Sequence, residues 1–111
     1  MNNKIYSFLG LAKKAGKLVS GGDTCMRAVK SGKVLLIIVA ADASDNTKKE
    51  FTDACRYRGT DIRFFGEKDL LGKFVGKDLR TVIGILDEGF SSKLKEDIDR
   101  LSIENGGGKI G

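Results

Sequence analysis

Eight apolar residues stand in an uninterrupted row, Val34-Leu35-Leu36-Ile37-Ile38-Val39-Ala40-Ala41. A strand with one wet face alternates apolar and polar positions, because successive side chains point to opposite sides of the sheet. A strand that is apolar at every position must be covered on both sides, and helices are the usual cover. The row is also far below the ~20 residues needed to span a bilayer. It therefore reads as the central strand of a sheet held between two helical layers.

The flanking sequence supplies those layers. Ile5, Phe8, Leu9 and Ala12 repeat at helical spacing, and the pattern stops at Gly16, a natural left-handed helix terminus. Lys17-Leu18-Val19 is short and extended in character. Ser20-x-x-Asp23 matches the capping-box pattern, so a second helix is expected from there to about Ser31, with Cys25, Met26 and Val29 facing inward and Gly32 ending it. A third helix is expected between Ser44 and Gly59, burying Phe51, Ala54 and Cys55 while Lys48, Lys49, Glu50 and Arg56 stay wet. Ile62–Phe65 reads as a strand, Leu70, Leu71, Phe74 and Val75 as a short helix ended by Gly76, and Val82–Leu86 as another buried strand. Phe90, Leu94, Ile98 and Leu101 mark a last amphipathic helix. Alternating elements of this kind predict an α/β fold, a three-layer α/β/α sandwich around a mixed sheet of about four strands.

With 111 residues the chain is long enough for one core and short for two. The expectation is one domain over residues 1–103 and a mobile Gly-rich tail from Glu104 to Gly111, where glycines offer nothing apolar to bury. The start Met1-Asn2-Asn3-Lys4 lacks a signal-peptide apolar core, which predicts a soluble cytoplasmic protein with no membrane partner. Cys25 and Cys55 have no CxxC spacing and no histidine to join them, so no metal and no disulfide is expected, and buried thiols are the simpler reading.

The net charge of +5 is unevenly placed. Residues 1–33 carry Lys4, Lys13, Lys14, Lys17, Arg27, Lys30 and Lys33 against the single acid Asp23, and the rest of the chain is close to neutral. Charge focused on one region suits a polyanion, nucleic acid first and a membrane surface second. Phosphate-binding loops of the nucleotide-hydrolysing kind fail here: Gly16 and Gly21 have the right offset, but Gly22 stands where the lysine must be. The GxGxxG dinucleotide fingerprint is absent, and so is histidine, the usual general base near neutral pH. No cofactor and no catalytic set is expected.

What remains is the segment Gly16–Arg27. Gly21 and Gly22 remove side chains where a polyanion would approach the backbone, at a helix N-terminus that carries partial positive charge. Lys14 and Lys17 lie just before it, and Arg27 follows Asp23 by one turn, on the same helix face. An arginine there can form paired hydrogen bonds to phosphate or to a guanine edge. The residues alone also allow a plainer reading, in which Ser20 and Asp23 cap the helix, Arg27 pairs with Asp23, and the glycines only turn the chain.

Three segments at consistent spacing, Leu11–Gly21, Leu36–Thr47 and Leu71–Lys77, resemble the ribosomal protein L7Ae/L30e superfamily, most closely its bacterial YlxQ-like branch, over roughly residues 4–101. The resemblance implies an L30e-like sandwich that binds structured RNA, a kink-turn or related internal loop, with ribosomal RNA among the candidates. The second helix's N-terminus would enter a groove beside sheared G·A pairs, and a second surface would pack on an extruded base. Carried over by position, Gly21 matches the family's backbone glycine, Asp23 and Thr24 stand where an Asn-Glu pair often stands, and Arg27 replaces the basic residue one turn later. Lys77-Asp78-Leu79-Arg80 resembles the second contact, with Leu79 as its apolar platform. Asp23 departs from the family by placing an anion where an amide or lysine is common. The competing reading is a protein-interaction adaptor that kept the fold and lost kink-turn binding.

Overall fold

The computed structural model describes residues 3–103. In chain order the elements are α1 (Asn3–Lys14), β1 (Leu18–Ser20), α2 (Gly22–Lys30), β2 (Leu36–Val39), α3 (Asp45–Arg58), β3 (Asp61–Phe64), α4 (Lys68–Phe74), β4 (Val82–Ile85) and α5 (Glu88–Ser102). The four strands form one mixed sheet in the order β1-β4-β2-β3. β4 runs antiparallel to both β1 and β2, whereas β2 and β3 are parallel.

The apolar row lies where its composition requires. All of β2 is buried, as is all of β4 beside it. β2 is shorter than the row, however. Leu35 stands outside the strand and is exposed, although its N–H still bonds the Ile85 carbonyl at 2.8 Å. Helices α2 and α3 pack together over one face of the sheet, and α1, α4 and α5 cover the other. Burying each large aliphatic side chain of such a core contributes about 1.5–3 kcal/mol. Ile5, Tyr6, Leu9 and Ala12 of α1 repeat at helical spacing and all are buried. α3 begins on Ser44, whose hydroxyl accepts from the Thr47 N–H at 3.1 Å, and ends on left-handed Gly59.

The capping box expected at Ser20 does not form. Ser20 belongs to β1, where it pairs with Ile83, and the N-cap of α2 is Gly21, with no side-chain cap bond. The Ser20 hydroxyl is engaged elsewhere, accepting from Arg80 Nε at 2.9 Å. The sheet register thus sets Ser20 one residue too early to cap the helix. The tail expected to be mobile, residues 104–111, lies outside the described residues.

The pairing Ser20↔Ile83 and Val39↔Val82, with Val39↔Phe64, brings the carboxyl ends of β1, β2 and β3 to the edge where β4 begins. The start of α2, the start of α3 and the loop entering β4 therefore meet at one end of the sheet.

Candidate nucleic-acid interface

The turn into α2 is built by Gly21. Its φ of 99° and ψ of 144° fall where a side chain is strained, so the residue type follows from the backbone. Its N–H bonds the Val82 carbonyl at 3.0 Å and its own carbonyl receives the Cys25 N–H at 2.9 Å, which ties the helix start to β4. The N–H groups of Gly22, Asp23 and Thr24 precede the first intrahelical bond, and no side chain caps them. Gly22 itself is exposed, and a Cβ added there would meet nothing within 4 Å. Neither packing nor backbone conformation within the chain accounts for glycine at that position.

The loop Gly76–Thr81 closes the other side. It turns back along α4, with the Lys77 N–H on the Gly72 carbonyl at 2.8 Å and the Arg80 N–H on the Lys68 carbonyl at 3.1 Å. It can lie so close because Gly72 has no side chain: a Cβ there would stand 2.8 Å from the backbone N and Cα of Leu79. Arg80 then reaches Ser20 with its Nε while its Nη1 donates to the Leu79 carbonyl at 2.8 Å. Two segments sixty residues apart are joined by a single guanidinium.

Between these parts runs a groove of about 340 Å³ lined by Gly22, Asp23, Met26, Thr47, Glu50, Phe51, Leu79, Thr81 and Val82. Leu79, 45% exposed, presents apolar surface beside the carboxylates of Asp23 and Glu50 and the hydroxyls of Thr47 and Thr81. The lining carries acceptors and apolar surface and no cation, a combination that fits a base edge better than a phosphate. Thr24 and Arg27 line a different groove, about 630 Å³, with Lys30, Lys33, Val19 and Leu86 along the β1 side of α2. Asp23 and Arg27 take part in no ion pair among the described residues, so the charge pairing of the plainer reading is not made.

Of the residues singled out by sequence, Gly21, Gly22, Asp23, Leu79 and Arg80 come together at this edge, and Thr24 and Arg27 sit on its flank. Lys14 and Lys77 lie in a separate groove between α1 and α4. Lys17 is on neither: it precedes β1, its carbonyl bonded to the Leu86 N–H, roughly 13 Å of strand away from Gly21. Thr47, Glu50 and Thr81 were missed. Thr47 and Glu50 belong to the first turns of α3, and only the packing of α3 against α2 brings them to the groove.

The two cysteines are buried and free. Burial pushes the Cys25 thiol up to about 12, against a smaller opposing pull from Arg80, and pushes the Cys55 thiol up to about 11. Thiols held so far above neutral pH stay protonated and make poor nucleophiles. Among the described residues no group of three or more His, Cys, Asp or Glu could hold a metal ion, and no helix is long and apolar enough to cross a membrane.

The family model described as "Ribosomal protein L7Ae/L30e/S12e/Gadd45 family" matches residues 3–95. The chain is 35% identical over 94 residues to the RNA-binding protein YlxQ of Bacillus subtilis, a match covering 85% of this chain and 94% of that protein. It is 34% identical over 88 residues to the large ribosomal subunit protein eL30 of Candida glabrata, covering 78% and 84%. Among solved structures, a protein of unknown function from Bacillus halodurans superposes with a TM-score of 0.83 at 41% identity, covering 86% of this chain and 97% of that one. The Giardia lamblia 15.5kD RNA binding protein superposes with a TM-score of 0.74 at 20% identity, covering 90% and 88%, which is a likeness of fold.

Proposed function

Since this chain belongs to the ribosomal protein L7Ae/L30e/S12e/Gadd45 family, in its bacterial YlxQ branch, we propose that it binds structured RNA without catalysis, reading a kink-turn or related internal loop and acting in association with the ribosome or another ribonucleoprotein. The observation that carries this reading is the junction of the α2 N-terminus with the loop Lys77–Arg80 through Arg80 and Ser20. It supports a single binding edge made from two segments that are distant in sequence.

In this reading the unfilled N–H groups of Gly22, Asp23 and Thr24 approach the RNA backbone, and the absent side chain of Gly22 leaves room for it. Leu79 takes the face of an extruded base. Asp23 and Glu50 accept hydrogen bonds from base N–H groups, which they can do only where bases are splayed out, because an intact A-form major groove is too deep and narrow for side chains. Arg27, with Lys30 and Lys33, supplies charge to the phosphates of the adjoining stem.

The test is a titration at physiological salt of a kink-turn RNA against the same RNA with its G·A pairs replaced by Watson–Crick pairs. A clear preference for the kink-turn is expected. Equal weak binding of both would refute the reading and favour the protein adaptor, a result that the two carboxylates lining a groove without cations would then explain.

A further inference from the structure

The groove between α1 and α4 is not used by the reading above. It measures about 580 Å³, and its lining includes Leu11, Lys13, Lys14, Lys73, Phe74 and Lys77. Its shape comes from a close helix crossing: a Cβ on Gly10 would stand 3.2 Å from the Phe74 carbonyl oxygen, and Tyr6 and Phe74 stack with ring centroids 5.2 Å apart. The apolar floor is Leu11, 54% exposed, with half-buried Phe74 beside it. Around that floor stand four lysines and no acid.

The helix dipole explains why lysines favour the last turns of α1 and α4. It does not explain why they surround the exposed apolar side chain of Leu11. Elsewhere on the surface six cations are paired, Lys4 and Lys93 with Asp97, Lys49 with Asp53, Arg63 with Asp99, Lys95 with Asp61, and Arg100 with Glu96, while others, Arg27, Lys30 and Lys33 among them, are in no ion pair among the described residues. Lys13, Lys14, Lys73 and Lys77 take part in no ion pair among the described residues. Acid-free positive charge around an exposed apolar floor fits a ligand that brings both phosphates and flat apolar rings.

We infer that the α1/α4 groove binds a single-stranded RNA segment flanking the structured element, with phosphates on Lys13, Lys73 and their neighbours and a base on Leu11 and Phe74. This rests on the RNA-binding reading and extends it to a second surface. Single strands are held by a basic track and a stacking platform together, whereas a duplex keeps its bases stacked inside and would gain little from Leu11. Continuity supports the same occupant: Leu79 lines the base groove and Lys77 this one, two residues apart on one loop, so an RNA chain can pass from one to the other. An anionic membrane is the alternative for a basic apolar surface, but it would leave that continuity without a purpose.

The experiment compares the preferred structured RNA with the same RNA carrying an unpaired extension of about six nucleotides, for wild type, Leu11→Ala and the double variant Lys13→Ala/Lys73→Ala. All three substituted side chains are exposed, and a melting curve verifies that the variants fold. The extension is expected to tighten wild-type binding about tenfold, the scale of one stacked base. The double variant should lose most of that gain, and about 1.4 units of the extended RNA's salt slope, while binding the unextended RNA as wild type does. An extension that adds nothing to wild type, or a gain that survives in both variants, overturns the inference. Neither result touches the kink-turn preference, which is read from the unextended RNA. Binding to anionic vesicles that depends on Lys13 and Lys73, without any gain from the extension, assigns the groove to a membrane instead.

Discussion

Arg80 donates from Nε to the hydroxyl of Ser20 at 2.9 Å, and this bond is where the β4 entry loop meets the start of α2. Ser20→Ala removes the acceptor and leaves the charge. The expected cost is about 1 kcal/mol of folding stability, the net value of a modest hydrogen bond. Arg80→Ala removes both the tether and the cation, so it should weaken RNA binding by a larger factor than Ser20→Ala does. Urea unfolding and RNA titration of the pair decide this. Two variants indistinguishable from wild type in both assays would mean that the loop holds its place without the bond.

Gly72 controls the same loop from below. A methyl group there would lie 2.8 Å from the backbone of Leu79, and backbone cannot rotate away as a side-chain tip can. Gly72→Ala should therefore destabilise the fold by about 1–3 kcal/mol, despite alanine's better helix propensity, because overpacking outweighs it. It should also displace Leu79 and so weaken RNA binding beyond what the stability loss explains. A stability equal to wild type would show that the contact is looser than its geometry indicates.

Ser20 and Gly72 also mark how far sequence reading reaches. β2 and the placing of α3 between Ser44 and Gly59 are legible because each rests on local chemistry: a doubly covered strand, and a helical pattern bounded by a hydroxyl residue and a glycine, which the structure shows as a side-chain cap and a left-handed terminus. At Ser20 a Ser-x-x-Asp pattern does not reveal that sheet pairing claims the serine first. Lys17 is near Gly21 in sequence, yet β1 carries the chain from one end of the sheet to the other between them. Thr47 and Glu50 leave no local signal, since their place in the groove depends on α3 packing against α2. The glycine at position 72 has a helical backbone, and its reason lies in a loop that returns seven residues later.

The thiols give a pH-dependence of known sign. In the folded chain burial raises Cys25 to about 12 and Cys55 to about 11, from an ordinary value of 9.0. In the unfolded chain both ionise near that ordinary value. Between about pH 9 and 11 the unfolded state therefore binds fewer protons than the native one, and stability falls as pH rises through that window. Replacing both cysteines with alanine should flatten this part of the profile, at the price of some core packing. A thiol reagent at pH 8 should react with neither residue until urea unfolds the chain. Rapid labelling of the native protein would contradict the burial.

Arg27 is exposed and its groove-mates Lys30 and Lys33 are also basic, so its expected partner is phosphate. Arg27→Ala should weaken binding of the kink-turn and of its Watson–Crick control by similar factors, and should lower the salt slope by about one unit. Loss confined to the kink-turn, with an unchanged slope, would instead make Arg27 a reader of base edges.

Gly22 separates folding from binding most cleanly. Nothing within 4 Å would meet a Cβ there, its backbone is helical, and its φ lies outside the left-handed region. For folding alone alanine is the better residue, because it restricts the unfolded chain without straining the folded one. Gly22→Ala should therefore raise stability by roughly 0.4–1 kcal/mol. If glycine is present to let RNA reach the unfilled N–H groups of the α2 N-terminus, the same methyl group should weaken RNA binding, and valine should weaken it further. Opposite signs in the two assays are what the interface requires. A variant that is more stable and binds equally well would show that the RNA does not approach the helix at that point, and would move the contact to the Leu79 groove alone.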